Sequence, residues 1–115
     1  MSKRTDRELL GDLREAIRRI SAYLAGVQYE SFVKDTKTQD AVIRNLEVLG
    51  EATKNLSATF RATHADVPWK NLAGARDRLI HHYFGVNLDI VWQIVSAELP
   101  RIAEQLPRVD EGNEV

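Results

Sequence analysis

The sequence predicts an all-α protein, a four- to five-helix up-and-down bundle, from three observations. Apolar residues recur at three- and four-residue steps through most of the chain, capping residues stand just ahead of those stripes, and no segment sustains the alternation of a half-buried strand. At 115 residues the chain is expected to form one domain over 1–115, since domains of this size commonly stand alone and bury roughly two-thirds of their unfolded surface.

Leu9, Leu13, Ile17, Ile20, Leu24 and Val27 form the stripe of a first helix from about Asp6 to about Val27. Thr5 and Glu8 have the spacing of a capping box, in which the hydroxyl accepts from the third backbone amide and the carboxylate reaches back. Gln28 to Asp35 reads as a linker with room for a helical turn. Thr36-Lys37-Thr38-Gln39 repeats the capping signal ahead of Val42, Leu46, Leu49, Leu56 and Phe60, which extend along a second long helix. Pro68 suits a helix start, where a missing amide costs nothing, so Trp69 to about Phe84 forms a third helix. Gly74 is its weak point and Gly85 its end. Asn87 caps a fourth helix carrying Leu88, Val91, Val95, Leu99, Ile102 and Leu106, which Pro100 should kink by removing a backbone hydrogen bond and crowding the preceding turn. After Pro107 the chain turns acidic, and about 108–115 is expected to fray. There is no internal repeat or low-complexity tract.

Formal net charge is −1, but Asp110, Glu111 and Glu114 carry three negative charges, so the remainder is mildly basic at +2. That is too little to argue nucleic-acid binding from charge alone. The absence of cysteine excludes disulfides, thiolate metal sites and cysteine nucleophiles. The polar start leads into no signal-peptide core, and no apolar run approaches a membrane span of about 20 residues, so a cytoplasmic protein without a membrane segment is expected.

The chemistry concentrates in Arg76-Asp77-Arg78-Leu79-Ile80-His81-His82-Tyr83. Arginine grips phosphate through a fixed fork of donors, and histidine transfers protons near neutral pH. On a straight helix Arg76 and His81 point about 140° apart and stand roughly 7.5 Å apart along the axis. One helix therefore does not easily close both on a single phosphate. Asp77 and His81 share a face, where the carboxylate can orient the imidazole; Arg78 and His82 form a second such pair, and Arg76 and Tyr83 share a third face. Two chains paired across this helix would bring the arginine of one toward the histidine of the other, and isologous pairing is the commonest oligomeric arrangement. A composite, dimeric site is expected.

Trp69, the Arg76-x-x-x-x-His81-x-Tyr83 pattern, Phe84-Gly85-Val86 and the following helix with Trp92 and Leu99-Pro100 resemble the HepT-like branch of the HEPN superfamily. The resemblance covers most of the chain. It implies a HEPN-like helical homodimer acting as a metal-independent endoribonuclease, the toxin of a type VII-like toxin–antitoxin pair, with RNA as substrate and no cofactor. It also implies a partner, an MntA-type minimal nucleotidyltransferase that silences the toxin by AMPylation. Carried onto this chain, it makes Arg76 the phosphate-binding group, Asp77 the polar helper, His81 the acid/base group and Tyr83 the AMP acceptor. Many relatives have an amide directly after the arginine; Asp77 instead places negative charge beside the incoming phosphate. The alternative is a non-catalytic, nucleotide-contacting subunit that binds the nucleotidyltransferase, and a weaker one is a purely structural four-helix homodimer.

Taken singly, these residues have plainer roles. Arginine is more often a surface ion-pair partner, histidine an interfacial residue and tyrosine a packing aromatic. His82 is assigned to the rim beside Arg78, and Trp69, Trp92 and Phe84 to packing. Arg14, Arg18 and Arg19 form a basic strip on the first helix, ordinarily a solvated face but able to guide an RNA backbone. A zinc site from His64, His81 and His82 carries little weight, because adjacent helical histidines diverge by about 100° and no cysteine assists.

Overall fold

The computed structural model describes residues 4–79 and 85–108, and all regular elements among them are helical. The first helix, α1, spans Asp6–Leu24 and opens with the expected capping box. The Glu8 amide donates to Thr5 Oγ1 at 3.1 Å, and the Thr5 amide to Glu8 Oε1 at 2.8 Å. Its stripe of Leu9, Leu13, Ile17 and Ile20 is buried. The helix ends three residues before Val27 because Gly26 turns the chain with φ +76, a conformation that glycine adopts without a Cβ penalty. The expected linker contains the short helix α2, Tyr29–Phe32, which sends Phe32 fully into the core.

Helix α3, Thr36–Asn55, is capped by Asp35 and not by the Thr36 box. Asp35 accepts from the Thr38 amide at 3.1 Å and from its hydroxyl at 2.6 Å, while Gln39 donates to the Phe32 carbonyl at 2.9 Å instead of closing a box. The second long helix is also shorter than its apolar spacing implies. Leu56 adopts an extended conformation, and Ser57 caps a separate helix α4, Ala58–Thr63, by accepting from the Phe60 amide. Asp6 fixes this break, taking the Ser57 amide at 2.8 Å and its hydroxyl at 2.6 Å. Because the start of α1 thus meets the end of α3, the two long helices run antiparallel.

Pro68 precedes α5, Trp69–Ala73, and after Gly74 the chain continues as α6, Ala75–Leu79. The expected weak point at Gly74 is thus a helix boundary. Trp69 is buried, and its indole Nε1–H donates to the His64 and Arg61 carbonyls at 2.9 and 3.1 Å. Phe60 packs on both His64 and Trp69, with ring centroids 4.7 and 5.9 Å away. Gly85 has φ +93, the conformation expected just past a helix end. His81, His82, Tyr83 and Phe84, with the last turns expected of that helix, lie outside the described residues, as does most of the acidic tail.

Asn87 caps α7, Leu88–Gln93, by accepting from the Ile90 amide at 3.2 Å. A π-helical turn, Ile94–Glu98, follows and leads directly into α8, Leu99–Gln105. The expected disturbance at Pro100 takes this form: the Leu99 amide reaches back five residues to the Ile94 carbonyl, and the proline enters the first turn of α8, where its missing amide is tolerated. Leu13, Ile20, Phe32, Leu46, Leu49, Leu72, Val91 and Ile94 meet in one core, each such side chain contributing roughly 1.5–3 kcal/mol by burial. Trp92 packs at its edge on Phe32 and Tyr29, at centroid distances of 5.3 and 5.7 Å. No helix among the described residues is long and apolar enough to cross a membrane.

Candidate active site

Arg76 stands on α6, a five-residue helix seated against α3. Its guanidinium Nε donates to Glu47 Oε2 at 3.3 Å, and both side chains remain accessible, 53% and 36% exposed. The pair sits at the wall of a cleft of about 580 Å³ running between the start of α1 and the outer face of α3. Across the cleft Arg4 is closed by Asp12, donating from Nε and Nη2 at 2.9 and 2.8 Å. Arg44 and Lys54, which also line it, have no hydrogen-bonded partner among the described residues. The cleft thus carries Arg44 and Lys54, Arg76 held through Nε, and the carboxylates of Asp12, Glu47 and Glu51.

Asp77 is exposed and makes no hydrogen bond to another described residue. Arg78 turns to the other side of α6 and donates from Nη1 and Nη2 to both oxygens of Glu98, at 2.9 and 2.7 Å. That bidentate bond holds the guanidinium more firmly protonated than usual, outweighing the effect of partial burial. Its partner Glu98 lies in the π-helical turn, and the expected pairing with His82 falls outside the described residues. The bond to Glu98 ties the motif helix to the last helical segment.

The arginines of the basic strip on α1 all have partners, although Arg18 and Arg19 stay exposed. Arg18 and Arg19 both donate to Glu15, at 2.7 to 3.0 Å, and these hydrogen bonds hold the Glu15 carboxyl down to about 2. Arg14 donates to the Leu106 and Pro107 carbonyls at 3.4 and 3.1 Å, capping the end of α8. Among the described residues no cluster of three or more histidine, aspartate or glutamate side chains is placed to hold a metal ion. His64 packs on Phe60.

Comparison with known proteins decides the family. The family model described as "Ribonuclease HepT-like" matches residues 13–109, which include the whole motif octet. The chain belongs to the HepT-like family. This HepT-like protein is 43% identical over 109 residues to a Methanocaldococcus jannaschii protein named "Putative RNase MJ0127", covering 95% of this chain and 90% of that one. It is 42% identical over 100 residues to "Probable ribonuclease HepT" of Thermococcus cleftensis, covering 87% and 91%. It is 48% identical over 84 residues to "Putative RNase TTE0752" of Caldanaerobacter subterraneus subsp. tengcongensis, covering 73% and 75%. No solved structure matches the chain.

Sequence reasoning singled out Arg76 and missed both glutamates that hold the motif arginines. Glu47 lies 29 residues before Arg76, and Glu98 lies 20 residues after Arg78. Periodicity connects only neighbours on one helix, so no local spacing marks either partner.

Proposed function

We propose that this HepT-like protein is a metal-independent endoribonuclease that cleaves RNA through attack by the substrate's own 2′-hydroxyl. The observation that carries this reading is the family match across 13–109, which encloses Arg76, Asp77, His81 and Tyr83 in one motif. The names of its relatives, RNases by description, support the same substrate class. The Nη edge of Arg76, without a partner among the described residues and beside an open cleft, supports the role of phosphate grip.

In this mechanism the 2′-oxygen attacks the adjacent phosphorus, the bond to the 5′-oxygen breaks, and a cyclic phosphate and a free 5′-hydroxyl result. His81 of one protomer takes the 2′-hydroxyl proton, and its symmetry mate returns a proton to the leaving oxygen, each role contributing about 10²–10⁴-fold. Asp77 orients His81. Arg76 stabilises charge on the non-bridging oxygens, a contribution worth about 10²–10³-fold for one well-placed donor. A homodimer formed through the motif helix reconciles the 140° divergence of Arg76 and His81 about a helix. Tyr83 is the regulatory position, AMPylated by an MntA-type nucleotidyltransferase antitoxin, so that the chain is the toxin of a type VII-like pair acting in the cytoplasm.

The test is RNA cleavage by the purified protein in chelator, beside Arg76→Ala, His81→Ala and a substrate with deoxyribose at the scissile nucleotide. Loss of cleavage in all three cases is expected. Equal cleavage by wild type and both variants would trace the activity to a contaminant, and cleavage of the deoxy substrate would remove 2′-hydroxyl attack. With ATP, magnesium and the nucleotidyltransferase, AMP should appear on the peptide containing Tyr83; an adduct found only elsewhere would reassign that residue.

A further inference from the structure

We infer that Glu47 is the positioning residue for Arg76, holding the guanidinium by its Nε edge so that the Nη1/Nη2 edge is left to grip the scissile phosphate. The inference rests on the proposed catalytic role of Arg76. The hydrogen bond from Arg76 Nε to Glu47 Oε2, at 3.3 Å, occupies one donor of five, and neither Nη nitrogen has a partner among the described residues. A guanidinium presents two two-pronged edges, and a carboxylate on one leaves the other for a second anion.

The surroundings explain why such an anchor is needed. Arginine has a long, rotamer-rich side chain, and α6 is only five residues long, beginning at the Gly74 boundary. Glu47 projects from the middle of the 20-residue helix α3, directly after Leu46, which is fully buried. A rigid element thus fixes the end of a side chain whose own helix is short. An ion pair this exposed contributes little to folding, so its effect falls on the freedom Arg76 must lose when phosphate arrives. Glu47 also lines the cleft, with Arg44 and Lys54 along the same helix.

The test uses full-length Glu47→Ala, Glu47→Gln, Arg76→Ala and the double variant Arg76→Ala/Glu47→Ala. Glu47→Ala should lower kcat by about tenfold to a hundredfold, the range expected of a misplaced catalytic group, with KM changed by less than about threefold and the melting temperature unmoved. Glu47→Gln should recover most of kcat, since the amide oxygen still accepts from Nε–H, and its pH profile should keep the wild-type shape. Added guanidinium should restore more activity to Arg76→Ala than to the double variant, which lacks the carboxylate that would seat it. Wild-type activity in Glu47→Ala together with an inactive Arg76→Ala would overturn the role of Glu47 and leave that of Arg76 standing. A Glu47→Gln enzyme as slow as Glu47→Ala, with the acid limb of the pH profile gone, would make Glu47 a proton acceptor and overturn the positioning role. Full activity of Arg76→Ala would remove the catalytic reading beneath both.

Discussion

Arg76 and Arg78 stand two positions apart on the same short helix, and each is paired with a glutamate from another element, yet the two pairs are built differently. Arg78 spends both Nη donors on Glu98 in a bidentate bond, with the side chains 37% and 26% exposed. Arg76 spends Nε alone on Glu47 and is 53% exposed beside a cleft. A closed fork joins two helical segments. A half-open one can still accept an anion. Two residues of turn, about 200° around a helix, separate these uses, and composition could not have told them apart.

Replacing the open arginine should give the largest effect. Arg76→Ala should slow RNA cleavage by about 10²–10³-fold while leaving stability within about 0.5 kcal/mol, because an exposed single-donor pair contributes little to folding. Parallel cleavage and thermal-melting measurements check this, and a large loss of stability would place Arg76 with the structural arginine. The closed pair should respond the other way. Arg78→Ala should lower the melting temperature by about 2–5 °C, given roughly 1 kcal/mol at most for a partly exposed pair. The exchange Arg78→Glu/Glu98→Arg should recover part of that loss, and no recovery would show that the two side chains do not act together. A smaller effect is expected between them: Asp77→Asn removes a negative charge beside the phosphate and should lower KM by about two- to fivefold with kcat changed less. A rise in KM would mean that the carboxylate is needed.

Smallest of all is the effect of the Glu15 cluster, a useful contrast because it too joins a carboxylate to arginines but lies away from the cleft. Its carboxyl is held down from 4.5 to about 2 by hydrogen bonds from Arg18 and Arg19. A lowered folded value means stabilisation that is present above about pH 4.5 and lost as pH falls toward about 2. Acid unfolding of Glu15→Gln should therefore lose a little of the pH dependence of the wild type in that window, with cleavage at neutral pH unaffected. A changed cleavage rate at neutral pH would bring the α1 strip back as an RNA track.

Much of the fold was legible because it depends on local signals. The Thr5–Glu8 box, the Asn87 cap and the stripes of α1 and α3 act through residues three or four apart, and the structure carries all of them. Gly26 and Asp35 shifted two helix ends through local geometry, whereas the break in the second long helix needed a distant partner. Leu56 and Phe60 keep helical spacing with Leu49, but Asp6, 51 residues from Ser57, holds the chain in a break between them. The strip of Arg14, Arg18 and Arg19 was expected as a solvated face, and Arg18 and Arg19 are exposed with Glu15 between them, while Arg14 turns to the carbonyls that end α8. At the candidate site the residue types of the motif pointed to the chemistry, while the orientation of its arginines depended on glutamates on two other elements. His81 and Tyr83 lie outside the described residues, so their roles rest on the motif.

The most direct measurement is guanidinium ¹⁵N NMR of the protein titrated with an RNA oligomer carrying deoxyribose at the scissile position, which binds without being cut. The Nη resonances of Arg76 should shift saturably while those of Arg78 stay in place. Shifts at Arg78 with none at Arg76 would contradict the assignment of an open and a closed fork.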